Sequence, residues 1–244
     1  MHHFFGQAFE DYLAYQFFDK RRTGFFVDIG ASDGIRFSNS FILERWGWGG
    51  ICVEAHPFYH NLCKKNRPKS TVYNVAVGAT NGTATFYASK HGALSSLDPS
   101  VGTTFKKSFK AFTGYDKQIP TKVRTINSLL EENKVKKVDY VTIDIEGTEL
   151  DAMRGFDLKK YCPDLLIIEA ITPGRKTAMI SYMQENGYVY VKPSGSNYIF
   201  CKTQSAKKKL LNIPPIKKAQ QKVKPHVLTN PDMVTAYNRW LRKD

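Results

Sequence analysis

Apolar residues along this chain alternate between helical spacing and short unbroken runs. Phe9, Tyr12, Leu13 and Phe17 share one face of a 3.6-residue period, which predicts an amphipathic helix over residues 6–18. Lys20-Arg21-Arg22-Thr23-Gly24 ends it. Gly24-Phe25-Phe26-Val27-Asp28-Ile29-Gly30 then runs on without polar alternation and closes on Gly, the pattern of a parallel strand buried on both faces. Similar runs lie at 50–54, 71–77, 138–145 and 164–169. Helices are predicted between them over 40–46, 57–66, 126–133, from about 148, and over 173–186, the last stopped by Gly187. Pro57 suits a first helical turn, where its missing N–H costs little. Tyr188-Val189-Tyr190-Val191 and Asn197-Tyr198-Ile199-Phe200-Cys201 are expected to close the sheet as an antiparallel pair.

Two stretches break the alternation. Asn81-Gly82 is a strong two-residue hairpin signal, so residues 83–87 are expected to return alongside 71–77. From 91 to 118 periodicity weakens and Gly, Ser, Thr and Lys dominate, as in an insertion or lid over a site. Strands alternating with helices call for an α/β layered fold with a mainly parallel sheet.

Composition narrows this further. With 244 residues, 42% of them hydrophobic, the chain can bury the core of one large domain, which excludes a disordered chain. No apolar run approaches the ~20 residues of a membrane span, and the first residues, Met1-His2-His3-Phe4-Phe5-Gly6, do not read as a signal peptide. Cys52, Cys63, Cys162 and Cys201 form no Cys-x-x-Cys pair, so reduced thiols in a cytoplasmic setting are expected. The net charge is +14, and between Glu185 and Asp232 there are nine lysines and no acidic residue. The chain therefore divides into a main domain, 1–204, and a basic C-terminal extension, 205–244, with a short helix expected over 231–241.

The chemistry lies at the strand ends. Ligands of open α/β sheets bind at the carboxyl ends of the strands, and four predicted strands carry acidic residues there: Asp28, Glu54, Asp144 and Glu169. A carboxylate at a buried strand end is costly unless something pairs with it. The first strand runs into Asp28-Ile29-Gly30-Ala31-Ser32-Asp33-Gly34, whose glycines allow a sharp turn and close approach to a ligand. A dinucleotide fingerprint would need Gly at 32 and 35, where Ser and Ile stand. Asp28 and Asp33 would repel a phosphate but suit an amino group. Glu54, twenty residues after Gly34, is well spaced to accept hydrogen bonds from a ribose diol. A nucleoside bearing an amino acid and no phosphate is S-adenosylmethionine.

Val27-Asp28-Ile29-Gly30-Ala31-Ser32-Asp33-Gly34, Ser38-Asn39-Ser40, Gly47-Trp48-Gly49-Gly50-Ile51-Cys52-Val53-Glu54, Ser95-Ser96-Leu97 and Asp144-Ile145-Glu146-Gly147-Thr148-Glu149-Leu150 together resemble the FkbM-type methyltransferases over roughly residues 7–202. One departure is Ala55-His56-Pro57, where the family often has Glu-Pro. The resemblance implies a class I methyltransferase fold: Rossmann-like, doubly wound, mainly parallel, with an antiparallel last strand. It implies methyl transfer from S-adenosylmethionine to a hydroxyl group of a sugar, glycan or small natural product. Cofactor contacts are expected from Asp28, Gly30, Ala31, Asp33, Gly34, Asn39, Glu54 and Ala76. Asp144, Glu146 and Glu169 are expected to be catalytic, as a base or as ligands of a Mg²⁺ ion, with contact to the cofactor's amino group an equal alternative for Asp144. Glu149 is read either as a further base or as an acid at a helix start, and His56 and His91 as walls of the cleft or bases.

The basic surplus raises an alternative, an RNA ribose 2′-O-methyltransferase that holds an anionic partner through its lysines. Such enzymes share a Lys–Asp–Lys–Glu tetrad, and here Glu169 and Lys192 stand in the reverse order. A non-catalytic domain that binds cofactor or glycan is the remaining alternative, disfavoured by four retained acidic strand ends.

Overall fold

The computed structural model describes residues 4–217 apart from positions 91, 93, 109 and 111. His91, the helix expected over 231–241 and most of the basic extension lie outside the described residues.

Seven strands make one sheet: β1 (Phe25–Ile29), β2 (Gly49–Val53), β3 (Ser70–Tyr73), β7 (Tyr140–Ile143), β8 (Leu165–Glu169), β9 (Val189–Ser194) and β10 (Asn197–Cys201). Their order is β3-β2-β1-β7-β8-β10-β9. β1, β2, β3, β7 and β8 pair in parallel, and β10 runs antiparallel to both β8 and β9. The antiparallel strand is last in the chain, as expected, but it sits inside the sheet and leaves β9 at the edge.

The unbroken apolar runs reflect burial on both faces. Along β1, Val27 and Ile29 face one core while Phe26 faces the other. The first core is completed by α5 (Ile126–Glu132), α6 (Glu149–Arg154), α7 (Leu158–Tyr161) and α8 (Pro173–Glu185), through Leu129, Leu130, Met153, Leu158, Met179 and Met183. The second is completed by α1 (Glu10–Phe17), α2 (Phe41–Trp46), α3 (Pro57–Asn66) and α9 (Gln204–Leu211), through Tyr12, Tyr15, Ile42, Leu43, Cys63 and Leu210. Helices on both faces of a mostly parallel sheet make this a doubly wound fold.

The run at 71–77 is two strands, and here the expectation needs correction. β3 stays in the main sheet, whereas β4 (Ala76–Val77) belongs to a three-stranded sheet ordered β4-β6-β5, with β5 Gly82–Ala88 and β6 Lys117–Arg124. Asn74 makes the break, its Nδ2 donating to the carbonyls of Glu54 and Ala55 at 2.8 and 3.0 Å. The predicted hairpin between the two halves does not form. β5 pairs antiparallel with β6, and β4 pairs parallel with β6. Asn81 instead accepts the N–H of Thr125 at 2.8 Å and the hydroxyl of Ser128 at 3.1 Å, which docks its turn on the start of α5.

The segment 91–118 carries more regular structure than its composition suggests: a 3₁₀ turn at Pro99–Val101, α4 (Gly102–Ser108) and the start of β6. Leu94, Val101, Phe105 and Phe112 form a small core of its own. At the other end of the chain, α9 crosses the expected 204/205 boundary. Tyr12 donates to the Pro214 carbonyl at 3.0 Å, Lys207 to the Tyr190 carbonyl at 2.9 Å, and Lys209 meets Asp19 at 2.6 Å. The four cysteines are free thiols, and no described helix is long and apolar enough to cross a membrane.

Candidate active site at the carboxyl edge of the sheet

The chain leaves β1 toward β2 on one side and β7 lies on the other, so the carboxyl ends of β1 and β7 flank the point where strand order reverses. A cavity of about 970 Å³ opens there. Its lining brings together Asp28, Gly30, Ala31, Asn39, Glu54, Ala76, Asp144, Glu146 and Glu169 from the expected set. Asp33 and Gly34 are not in the lining, which departs from the expectation.

The reason is local. Asp33 Oδ1 accepts the N–H groups of Ile35 and Arg36 at 3.0 and 2.9 Å, and Oδ2 accepts Arg36 Nε at 2.7 Å. All three of these bonds stay within its own loop. Gly34 has φ +82°, and a Cβ there would lie 2.7 Å from Arg67 Cγ. Gly30 has φ +88°, and a Cβ would lie 1.8 Å from the Asp144 carbonyl oxygen. Gly30 thus lets β1 and β7 close on each other at the head of the cavity.

Arg67 was not singled out from the sequence, and it organises this loop. Its side chain is fully buried at the end of α3 and reaches Glu44 Oε2 at 2.8 Å, the Gly34 carbonyl at 3.1 Å, Ser38 Oγ at 3.3 Å and Ser40 Oγ at 2.9 Å. Its Nη1 lies 3.8 Å from Asp28 Oδ2, which also accepts Ser40 Oγ at 2.5 Å. Burial pushes the Asp28 carboxyl up, while Arg67 and Ser40 act to hold it down. Asp28 therefore does two things: it edges the cavity and it neutralises a buried guanidinium.

Glu54 stands just past β2, clamped on both oxygens. Oε2 accepts the Ser32 N–H and Oε1 the His56 N–H, each at 2.7 Å. Burial raises its carboxyl to about 7 against these two bonds. Each oxygen keeps lone pairs toward the cavity, where the clamp fixes their direction. His56 is buried and caps α3, its Nδ1 accepting the Phe58 N–H at 3.2 Å. Desolvation lowers its pKa to about 3, so it is a neutral cap rather than a base at this wall.

At the opposite end Asp144, Glu146 and Glu169 converge, with carboxylate oxygens all within 4.8 Å of one another. Asp144 and Glu146 are half-buried, and Glu169 is 6% exposed. Desolvation raises all three carboxyls, and their mutual repulsion raises Glu146 and Glu169 further. Glu149 is near but differently used: its Oε1 accepts the Gly147 N–H at 2.7 Å, securing the turn that presents Glu146 at φ +58°. The 91–118 segment covers this end. Leu94, Leu97 and Phe105 line the cavity, Ser96 donates to the Glu146 carbonyl at 2.8 Å, and Asp98 pairs with Arg175 of α8 at 2.6 Å.

The model of the methyltransferase FkbM domain matches residues 28–190, more than half of the chain. The chain belongs to this family. It is an S-adenosylmethionine-dependent methyltransferase of the class I, Rossmann-like fold. No curated protein matches it in sequence. Among solved structures, a Pyrococcus horikoshii protein described as an RNA methyltransferase is similar over 80% of this chain and 81% of its own, at 16% identity and a TM-score of 0.41. A TehB-like methyltransferase from Corynebacterium glutamicum covers 80% and 87%, at 13% identity and 0.42. TrmK of M. capricolum, solved with S-adenosylhomocysteine, covers 78% and 66%, at 12% identity and 0.39. None of these bears on the acceptor.

Within the FkbM domain, the match begins at Asp28 itself and takes in both ends of the cavity. Among the lining residues that sequence reasoning passed over are the neutral Ser32, Phe37, Tyr59, Val75, Phe86 and Thr142 and the charged Arg36. Phe37 has φ +55° and is 36% exposed at the rim. Nothing in its sequence context distinguished it from a core aromatic.

Proposed function

We propose that this FkbM-domain protein moves the methyl group of S-adenosylmethionine to a hydroxyl oxygen of a sugar, glycan or small natural product. The observation that carries the reading is the polarity of one cavity. A clamped carboxylate, Glu54, stands at one end, and three converging carboxylates stand at the other. Glu54 suits the ribose diol, and the Gly30-Ala31 turn with Asn39 suits the amino-acid part. Val75, Ala76, Tyr59 and Phe86 offer an apolar wall for the adenine.

The transfer is a displacement: the acceptor oxygen bonds to the methyl carbon as the carbon–sulfur bond breaks, and the sulfonium becomes a neutral thioether. The hydroxyl proton must leave. Carboxyls raised by burial and by one another are suited to receive it near neutral pH. Asp144, closest to the β1–β7 junction through its N–H bond to the Ile29 carbonyl at 2.9 Å, is assigned beside the reacting methyl. Alignment in a covered cavity supplies the rest.

The RNA 2′-O-methyltransferase reading lacks its lysines: among the described residues none is in the cavity lining, and Lys192 is exposed on edge strand β9. Calorimetric titration with S-adenosylmethionine and S-adenosylhomocysteine, with NAD as control, tests the cofactor. Transfer of a labelled methyl group across a panel of glycans, polyols and RNA then tests the acceptor. Absence of binding to either adenosyl compound would overturn the assignment of the cavity, and transfer to RNA alone would overturn the acceptor class.

A further inference from the structure

Phe37 stands on the loop between β1 and α2 with φ +55° and is 36% exposed. A bulky side chain at positive φ is strained, because its Cβ crowds the backbone. The exposed ring adds the cost of apolar surface left in water. Packing does not offset either cost: among the described residues, Phe37 belongs to none of the three apolar clusters. The conformation is imposed by its neighbours. Phe37 forms an isolated parallel bridge with Gly6, and Ser38 Oγ accepts the Phe41 N–H at 3.1 Å and Arg67 Nη1 at 3.3 Å. A strained, exposed ring at the edge of a cavity it lines points to a use in binding.

The rim around Phe37 leads to the acceptor end. Gly6 is followed by Gln7, which is exposed and lines the cavity. A Cβ added at Gly195 would lie 3.9 Å from the Ala8 Cβ, and Glu10 accepts Asn197 Nδ2 at 3.0 Å. The N-terminal segment therefore spans from Phe37 to the turn between β9 and β10. Ser196 of that turn is exposed in the lining, and Asn197 stands opposite Glu169 in the β8–β10 register. One rim thus runs from Phe37 through Gln7 and Ser196 to the Glu169 end. The wall assigned to the adenine comes from other elements, with Tyr59 on α3, Ala76 on β4 and Phe86 on β5.

Chemically, this rim is an aromatic face flanked by neutral polar side chains. Arg36 is the one cation of the lining among the described residues, and Asp33 holds it at 2.7 Å. With carboxyls gathered at the Glu169 end, a phosphorylated acceptor is disfavoured. A neutral pyranose ring fits both features. Its C–H face lies on an aromatic ring through apolar contact and weak C–H bonds, while its hydroxyls point outward to amide and hydroxyl groups. Resting on the methyltransferase reading, we propose that Phe37 is the platform on which a neutral pyranose ring of the acceptor stacks, with Gln7 and Ser196 reading its hydroxyls. Phe37 is then a specificity-determining residue that acts on the acceptor and not on the cofactor.

The full chain is titrated, in excess S-adenosylhomocysteine, with the methyl glycosides of glucose, galactose, mannose, fucose, rhamnose and xylose. Glycerol and adenosine monophosphate are the acyclic and phosphorylated controls. Saturation-transfer NMR reads sugar binding, and calorimetry reads S-adenosylhomocysteine binding, in wild type, Phe37→Asn and Phe37→Tyr. At least one glycoside should bind wild type with a dissociation constant below about 10 mM, and neither control should. Asn tolerates positive φ and water, so Phe37→Asn should melt at or above the wild-type temperature. It should bind S-adenosylhomocysteine within about twofold of wild type and lose at least about tenfold in glycoside affinity, whereas Phe37→Tyr should keep that affinity within about threefold. A melting temperature lower by more than about 4 °C in Phe37→Asn would mean that the ring is packed in the fold, and lost S-adenosylhomocysteine affinity would assign the ring to the cofactor. Either result overturns the platform. So does a glycoside affinity unchanged in Phe37→Asn, or binding of adenosine monophosphate in place of any glycoside. S-adenosylhomocysteine binding with no glycoside binding removes the platform and keeps the methyltransferase reading. Phe37-dependent glycoside binding in a protein that takes no S-adenosylhomocysteine does the reverse.

Discussion

Replacing Glu54 by Gln separates what the carboxylate does for the fold from what it does for the ligand. In the wild type both oxygens accept a backbone N–H at 2.7 Å. In the variant one oxygen becomes an NH₂ that faces the N–H of Ser32 or of His56, donor against donor. Loss of a buried acceptor costs about 1–3 kcal/mol of stability. Against this, the wild-type carboxyl, raised to about 7 by burial, destabilises the folded state by about 3 kcal/mol when forced to ionise above that pH. The two effects offset at pH 8 and not at pH 5, where the wild-type group is protonated. Glu54→Gln should therefore match the wild type in urea midpoint at pH 8 and fall below it at pH 5. For the ligand, a charge-assisted bond to a ribose hydroxyl is worth about 1.5–3 kcal/mol, so the variant should bind S-adenosylhomocysteine about 10–150-fold more weakly at pH 8. Wild-type affinity should drop about tenfold per pH unit below about 7, as protons compete for Glu54, and the variant should show no such slope. Calorimetry from pH 5.5 to 8.5 on both proteins reads this. A flat wild-type profile, or a variant within about twofold of wild type at pH 8, refutes the ribose assignment.

Asp11 and Glu54 are both raised to about 7 by burial, so each stabilises the fold while protonated and loses that contribution as pH rises toward 8. The ligand-free protein should melt at a higher temperature at pH 5 than at pH 8. Asp98 and Asp139 are lowered and act in the opposite sense only below their ordinary range, outside this window, while His56, lowered to about 3, opposes the carboxyls below pH 6.5 by about 2 kcal/mol at pH 5, less than the two carboxyls contribute together. A melting temperature that climbs from pH 5 to 8 would contradict the burial of both groups. Arg67→Met strands Asp28 and Glu44 without their guanidinium and should cost about 3–5 kcal/mol in urea unfolding, and a loss below about 1 kcal/mol would show the network to be dispensable. Gly30→Ala puts a methyl group 1.8 Å from the Asp144 carbonyl at positive φ. It should destabilise by at least about 2 kcal/mol and weaken S-adenosylhomocysteine binding, and a variant of wild-type melting temperature and affinity would mean that β1 and β7 are farther apart than described.

How much of this could be read from the sequence depends on how far a residue acts along the chain. Asp28, Asp144 and Glu169 were legible as strand-end acids because a charge inside an apolar run stands out without any knowledge of its partners. The sheet itself was legible for the same reason: each buried strand announces itself locally. What the carboxylates touch was not legible. Asp28 and Asp33 look equivalent in the loop, yet one meets Arg67, thirty-nine positions away, and the other closes on Ile35 and Arg36. The Asn81-Gly82 signal was a true turn with the wrong partner inferred, because β6 begins only at the end of the 91–118 segment and takes the place between β4 and β5.

The same distinction separates the two ends of the cavity. Glu54 is held by N–H groups of residues 32 and 56, two loops that the strand order brings together at the switch point, so its orientation follows from the fold alone. Asp144, Glu146 and Glu169 come from the next two strand ends, where the fold brings carboxyls together and Asp144 and Glu169 hydrogen-bond to each other. One end is thus a single carboxyl clamped by backbone N–H groups, while the other gathers three carboxyls raised by burial. On the proposed reading the cavity has a direction, with the cofactor's ribose at Glu54, the acceptor oxygen at the trio, and the sulfonium methyl between them near the β1–β7 junction. If both ends had been clamped in the manner of Glu54, the cavity would suit a binding protein. Carboxyls raised by burial and by one another, able to take a hydroxyl proton, are what make transfer, rather than retention, the better account in the proposed reading.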